Sequence, residues 1–473
     1  MNRPELTFAT EDPLCRLNAH EALDLFRSGS LSPVELLSAQ IARANEVEPV
    51  INAFTETFFD TAMEAARLAE QRYLARVDDL RPLEGLGVTI KDVLDQKGAH
   101  TTYGSIVYRD NLATRDHPVV TRIRNAGGII HARTTTSELA FGWITATRLW
   151  GVTRNPWNPD LTPGGSSGGA AASLAAGTST LAIGADSAGS IRVPAALCGV
   201  VGYKPPTGRI PDPVEGQDPY NVIGPLARNV RDCALLQNVI SGMHPSDIGS
   251  LSERVELPLV NPGVAGLRLA FSTGLGKTAP TSSILAVIQA TIKQMRSVGI
   301  VVEEPDIDWP SNVIDDAKAY AIGLVATKLG NMLDKHGMDV CDYITWIGDT
   351  ARNCDVSVFS RAIETKSQLY SKLSDVIYKF DALICPVVLT NRVGAEQRPW
   401  TRMTINGVEL DSDYDWVATP HFNMLGQLPA LSVPIGLDDN GLPVGLQVVS
   451  RPFDDRRAFR VALAIESVVQ SAM

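Results

Sequence analysis

The feature that most limits how this chain can fold is a recurring alternation of short apolar, β-branched runs with stretches of helical spacing. The runs are LGVTI (86–90), GGIIHA (127–132), STLAIGA (179–185), LRLAF (267–271), IVVEE (300–304), ALICPVV (382–388), ALSVPIG (430–436) and GLQVV (445–449). Runs of five to seven residues suit buried strands, and the segments between them are long enough for helices, so the pattern predicts an α/β sheet covered by helices on both faces. Hydrophobic residues make up 44% and charged residues 20% of the 473, which supplies a large core and excludes a disordered or fibrous chain.

Residues 1–80 read as a helical segment. Ser32, Pro33 and Glu35 supply a cap, a first-turn proline and a capping-box partner ahead of Val34, Leu37, Ile41 and Ala44, and Ala53 to Arg76 carries the same period. Residues 81–262 hold the densest motifs, although 205–262, rich in Pro, Gly and Asp, reads as irregular surface connection. The strand–helix pattern restarts over 263–400, which suggests a variable lobe, and 401–473 reads as a return to the sheet closed by a helix from Asp454 to Val469.

Lys+Arg 42 against Asp+Glu 53 gives a net charge of −11 with no basic run, so the chain has no electrostatic footprint for nucleic acid or an anionic membrane. No stretch approaches the length of an apolar membrane span. Cys15, Cys198, Cys233, Cys341, Cys354 and Cys385 are scattered without CxxC spacing, and the start MNRPELTFATED has no charged region leading into an apolar one. These features predict reduced, buried thiols in a cytoplasmic protein with no metal and no cofactor.

The most unusual composition lies in PGGSSGGAAASLAAGTSTLAIGADSAGSIRVP, Pro163 to Pro194, where Gly, Ala and Ser form two clusters around a strand-like run. A linker would not contain that apolar run with Asp186 and Arg192 embedded in it. Clusters of this kind expose seryl oxygens and leave consecutive backbone N–H groups open to an anion, the two requirements of acyl transfer. A serine hydroxyl needs a base. His20, His100, His117, His131, His244, His336 and His421 sit in unrelated contexts and read as structural or solvated, which leaves lysine. Lys91 closes the run LGVTI, where a strand enters a loop. Bringing a lysine from about 10.4 to about 7 takes roughly 4–5 kcal/mol of differential solvation, which only burial supplies.

Five motifs in order then carry a resemblance: GVTIKDVLDQKGAHTTYGS (Gly87 to Ser105), TRNPWNPDLTPGGSSGGAAA (Thr153 to Ala172), GADSAGSIRVPAALCGVVGYKP (Gly184 to Pro205), GPLARNVRD (Gly224 to Asp232) and GQLPALSVPIG followed by GLPVGLQVV (Gly426 to Val449). From about residue 20 onward the chain resembles the amidase signature family. The resemblance implies one large α/β domain around a mixed, twisted sheet, and an amide hydrolase with a Ser–Ser–Lys triad. Ser190 matches the nucleophile, Ser166 the bridging serine after a cis peptide, and Lys91 the base. The backbone N–H groups of Ser187, Ala188, Gly189 and Ser190 match the oxyanion hole, a contribution of about 3–4 kcal/mol per key donor. Asp186 and Arg192 are expected to hold the loop, and Ser167 to donate within the relay.

The resemblance also puts Ser137 to Trp143 on the acyl-pocket wall, with the Ala140 carbonyl, Phe141 and Trp143 as substrate contacts and Tyr103, Trp150 and Trp416 as further contributors. Small aliphatic or aromatic amides are the expected substrates, and the family extends to esters, hydrazides and ureas. A homodimer is the expected assembly. The sequence departs from the family at Ser187-Ala188, where Thr-Gly or Gly-Gly is usual, and at His131, where glycine is common. Gly164 to Gly168 also satisfies GxSxG, but NPWNPDLTP before it cannot be the strand that a nucleophile elbow needs. STGLGKT fails as a phosphate loop because Phe271 stands where glycine is required, leaving Lys277 as a solvated loop residue. The main competitor is a glutaminase-type subunit of a tRNA-dependent amidotransferase, although residues 361–390 lack its Tyr- and Lys-rich wording.

Overall fold

A computed structural model describes residues 12–213, 218–261, 263–276, 278–337, 339–398, 400–410 and 414–471. Lys277 lies outside them. An 11-stranded sheet organises the chain. In spatial order its strands are Phe54–Thr57, Ile129–Thr134, Gly87–Lys91, Leu181–Asp186, Val222–Ala227, Val201–Lys204, Ala430–Leu437, Pro443–Val449, Ala382–Pro386, Arg268–Phe271 and Val301–Glu303. The pairing is mixed. Gly87–Lys91 runs parallel to both its neighbours, the centre of the sheet is antiparallel, and the far edge returns to parallel.

All eight apolar runs of the sequence become strands of this sheet, because each is long enough to cross it and apolar enough to be covered. The strands contributed by 263–400 belong to the same sheet as the rest. Covering helices pack on it through apolar faces; Asp455–Gln470, for example, buries Phe459, Val461, Leu463 and Ile465 in the main core cluster. The helix Pro33–Ile51 starts where the sequence predicts, with Ser32 Oγ accepting from Glu35 N–H at 3.1 Å and Glu35 accepting from Ser32 N–H at 2.8 Å.

Two expectations need correction. Ala53 to Arg76 is not all helix: Phe54–Thr57 forms an edge strand against Ile129–Thr134, and the helix is Phe59–Leu74. Residues 205–262 are not merely surface connection either. Val222–Ala227 is a fully buried strand inside the sheet and Val230–Ile240 a helix packed against it. Gly224 and Pro225 disguise that strand, since both are disfavoured in strand interiors. Gly224 is required there because a Cβ would come within 2.2 Å of the Tyr203 carbonyl oxygen. The six cysteines are free thiols; five are buried and Cys354 is half-buried. Among the described residues no helix is long and apolar enough to cross a membrane.

Candidate active site

Three neighbouring strands, Ile129–Thr134, Gly87–Lys91 and Leu181–Asp186, run parallel, so their carboxyl ends open on one edge of the sheet, where α/β sheets usually bind ligands. The carboxyl end of each strand contributes a part of the site. Lys91 ends one, residues 135–145 leave the second as a wall, and the loop 187–191 leaves the third. The helix Gly168–Ala175 closes the remaining side, preceded by a cis peptide bond between Gly165 and Ser166. Its small residues are a packing requirement: a Cβ at Gly165 would lie 2.7 Å from the Gly142 carbonyl oxygen, and one at Gly169 2.4 Å from Thr135 Oγ1.

Lys91 and Ser166 are both fully buried, and Lys91 Nζ bonds Ser166 Oγ at 2.7 Å. Burial lowers the lysine to about 7, while the Asp186 carboxylate pulls in the opposite direction. Desolvation wins because a lysine without a neighbouring counter-ion loses more hydration than a distant carboxylate returns. The site therefore holds a lysine poised between its two protonation states at neutral pH. Ser190 is buried at 8% exposure, lines a cavity, and its carbonyl oxygen accepts from Ser167 N–H at 3.1 Å. That bond ties the two serine segments; the Ser166 and Ser190 side chains make no hydrogen bond to each other in this structure.

Asp186 organises the loop. Its carboxylate accepts from the N–H groups of Gly189 (2.7 Å), Ile191 (3.1 Å) and Arg192 (3.3 Å), from Arg192 Nε and Nη2, and from Asn423 Nδ2 at 2.8 Å. These partners hold it ionised at about 2 even though burial works against the charge. Arg192, fully buried, also bonds Asn423, Gln447 and the Thr419 carbonyl. Two expectations change here. Gly189 N–H is engaged by Asp186 and is not a free oxyanion donor, whereas Ser187, Ala188 and Ser190 N–H have no protein acceptor among the described residues. Ser167 occupies the N-cap position of the helix Gly168–Ala175 without a cap bond, and its hydroxyl exchanges bonds with the Ala185 backbone at 3.2 and 3.3 Å, not with the relay, because it faces the end of Leu181–Asp186.

Ser187, Ala188 and Ser190 line a cavity of about 820 Å³ together with Ala140, Phe141, Trp143 and Tyr103. A second cavity of about 650 Å³, behind Phe141 and Trp143, is lined by Trp416. Trp150 lines neither; its indole N–H is bonded to Thr102 Oγ1 at 3.0 Å. His131, one departure from the family wording, is buried, bonded to the Thr178 carbonyl at 2.9 Å and driven down to about 4 by burial, so it is neutral. Sequence reasoning missed Asp218, Asn221 and Tyr414 in the cavity, and Thr419 and Asn423 beneath the loop. Asp218 is pushed up to about 6 by burial. None sits in a motif of its own; Thr419 and Asn423 lie just before GQLPALSVPIG, and only their position beside that segment marks them.

The family profile described as Amidase matches residues 35–459. An acylamidase from Rhodococcus erythropolis is 34% identical over 470 residues, 97% of each chain. A glutamyl-tRNA(Gln) amidotransferase subunit from Sulfurihydrogenibium sp. is 30% identical over 486 residues, covering 96% of this chain and 98% of that one. Among solved structures, a bacterial aryl acylamidase of the amidase signature enzymes superposes with a TM-score of 0.88 at 26% identity, covering 97% of both chains. With a profile and full-length relatives in agreement, this chain belongs to the amidase signature family and is an enzyme that hydrolyses the carbon–nitrogen bond of amides.

Proposed function

We propose that the chain hydrolyses small aliphatic or aromatic amides through an acyl-enzyme on Ser190, with Ser166 and Lys91 as its proton relay. The observation that carries this reading is the bond between Lys91 Nζ and Ser166 Oγ at 2.7 Å, in a setting where burial keeps the lysine close to neutral. Neutral Lys91 takes the proton of Ser166, and Ser166 takes that of Ser190 as its oxygen attacks the amide carbonyl. The developing oxyanion is received by the unengaged N–H groups of Ser187, Ala188 and Ser190. The relay then returns the proton to the nitrogen, the C–N bond breaks and the amine or ammonia leaves. Water, deprotonated by the same relay, attacks the ester and frees the carboxylic acid and Ser190.

The mixed lining of the cavity supports an acyl or amine group with an apolar body, received by Phe141 and Trp143. The two acylamidase relatives favour the same substrate class. A cytoplasmic homodimer acting on a small molecule completes the reading. The relative named as an amidotransferase subunit supports a second one, a glutaminase working in a complex. Both are tested by treating the purified chain with a fluorophosphonate and assaying amide and glutamine turnover. A single adduct on Ser190, lost in Ser190→Ala and slowed in Lys91→Ala, with turnover of simple amides, is the expected result. An adduct on Ser166 or Ser167 refutes the assignment; release of ammonia from glutamine only with an added partner favours the second reading.

A further inference from the structure

We propose that Thr419 is a positioning residue for the oxyanion hole, acting through the Ala188–Gly189 peptide; the proposal rests on Ser190 being the nucleophile. That peptide is engaged at both ends. Its carbonyl, on Ala188, accepts from Thr419 Oγ1 at 2.5 Å, and its N–H, on Gly189, donates to Asp186 Oδ1 at 2.7 Å. A peptide plane gripped by both of its polar groups has no freedom to turn. The peptides on either side carry Ala188 N–H and Ser190 N–H, both without a protein acceptor among the described residues, and Ala188 and Ser190 both line the cavity. Fixing the middle plane removes one of the two planes whose relative rotation sets where each flanking donor points, so it narrows those directions. Preorganised donors stabilise a developing oxyanion because they need no reorientation when charge appears.

Two further observations single out the Thr419 hydroxyl. It occupies the N-cap position of the helix Pro420–Met424, where a threonine usually accepts from the first turn, yet it makes no cap bond and turns to Ala188 instead. Gly189 is shaped to admit it: φ is +128°, and a Cβ there would lie 2.0 Å from Thr419 Oγ1. Thr419 is fully buried, and its own carbonyl is held by Arg192 Nη1 at 3.3 Å, so the hydroxyl is supported from behind by the ion pair that grips the other end of the peptide. Asp186 and Thr419 thus act on one peptide from opposite sides, across a sequence separation that no local motif spans.

The experiment compares wild type with Thr419→Val, which replaces the hydroxyl by a methyl, and Thr419→Ser, which keeps it. Amide kcat and KM, the rate of fluorophosphonate labelling at Ser190 and the thermal midpoint are read for each. Thr419→Val is expected to lower kcat and the labelling rate about 10- to 100-fold with KM within about 2-fold, the size of effect that misdirected oxyanion donors produce. Thr419→Ser is expected to retain most of the activity. Should Thr419→Val fold poorly, Thr419→Ala against Thr419→Ser makes the same comparison. Wild-type kcat in the valine or alanine variant overturns the proposal, as does a fall in kcat that tracks the thermal midpoint and is not rescued by serine. A wild-type chain that carries no label on Ser190 overturns the functional reading itself, and is told apart because it does not depend on residue 419.

Discussion

Acidification is expected to switch this enzyme off through Lys91. The lysine is lowered from 10.5 to about 7, chiefly by burial, with Asp186 opposing. A drop of that size corresponds to about 5 kcal/mol of differential interaction between the two protonation states. In the proposed relay the active form is the neutral one, so activity is expected above the folded value and is lost as pH falls through it. With a single protonation, kcat/KM is expected to be about half-maximal near pH 7, about 10-fold down at pH 6 and about 100-fold down at pH 5. The assay is the initial rate with an uncharged amide between pH 5 and 9, paired with the fluorophosphonate labelling rate of Ser190. Lys204 is the control: it too is buried and lowered to about 7, but among the described residues its ammonium bonds only the carbonyls of Pro205 and Gly426. The limb should therefore survive in Lys204→Met and vanish with the activity in Lys91→Met. The unfolded chain keeps its lysine proton up to about 10.5, so the cost of burying Lys91 is greatest at and below pH 7, and Lys91→Met is expected to hold or raise the thermal midpoint there. A flat kcat/KM down to pH 5, or wild-type rates in Lys91→Met, would refute the reasoning.

Three further changes test the geometry. Asp186→Asn leaves the Arg192 guanidinium buried without its counter-ion and weakens the grip on three loop N–H groups, so urea unfolding should show a loss of about 3–5 kcal/mol, along with lost turnover. An unchanged midpoint would mean that the ion pair is not what holds the loop. Gly189→Ala forces a Cβ to 2.0 Å from Thr419 Oγ1 at a φ of +128°; about 2–4 kcal/mol of destabilisation and near-complete loss of labelling at Ser190 are expected, and a wild-type labelling rate would contradict the packing. Phe141→Ala trims the cavity wall, so KM for aromatic amides should rise about 5- to 20-fold with a smaller change in kcat, measured against an acetyl amide as reference. Equal effects on both substrates would remove Phe141 from the acyl site.

Much of the fold was readable because its signals are local. Each apolar run is itself a strand, and the Ser32, Pro33 and Glu35 cap starts its helix within four residues. Phe54–Thr57 was missed because four residues of edge strand, carrying Thr and Glu, fall beside a long helix whose period dominates the window. Val222–Ala227 was missed for the opposite reason: Gly224 and Pro225 argue against a strand, while the sheet requires a residue without a side chain where the backbone of Tyr203 approaches.

For the site, the sequence by itself determined which residue types could do the chemistry. Lys91 at a strand end, serines among glycines and the order of five motifs were enough to nominate Lys91, Ser166 and Ser190. Which backbone groups are open was decided only by the tertiary structure. Asp186 takes Gly189 N–H, Thr419 takes the Ala188 carbonyl, and Ser167 faces Ala185 and not the relay. One of those bonds, Thr419 to Ala188, and the Asn423 to Asp186 bond that supports another join groups more than 200 residues apart. A sequence records the donors and acceptors each residue offers; only folding brings distant ones within 3 Å and settles which pairs form.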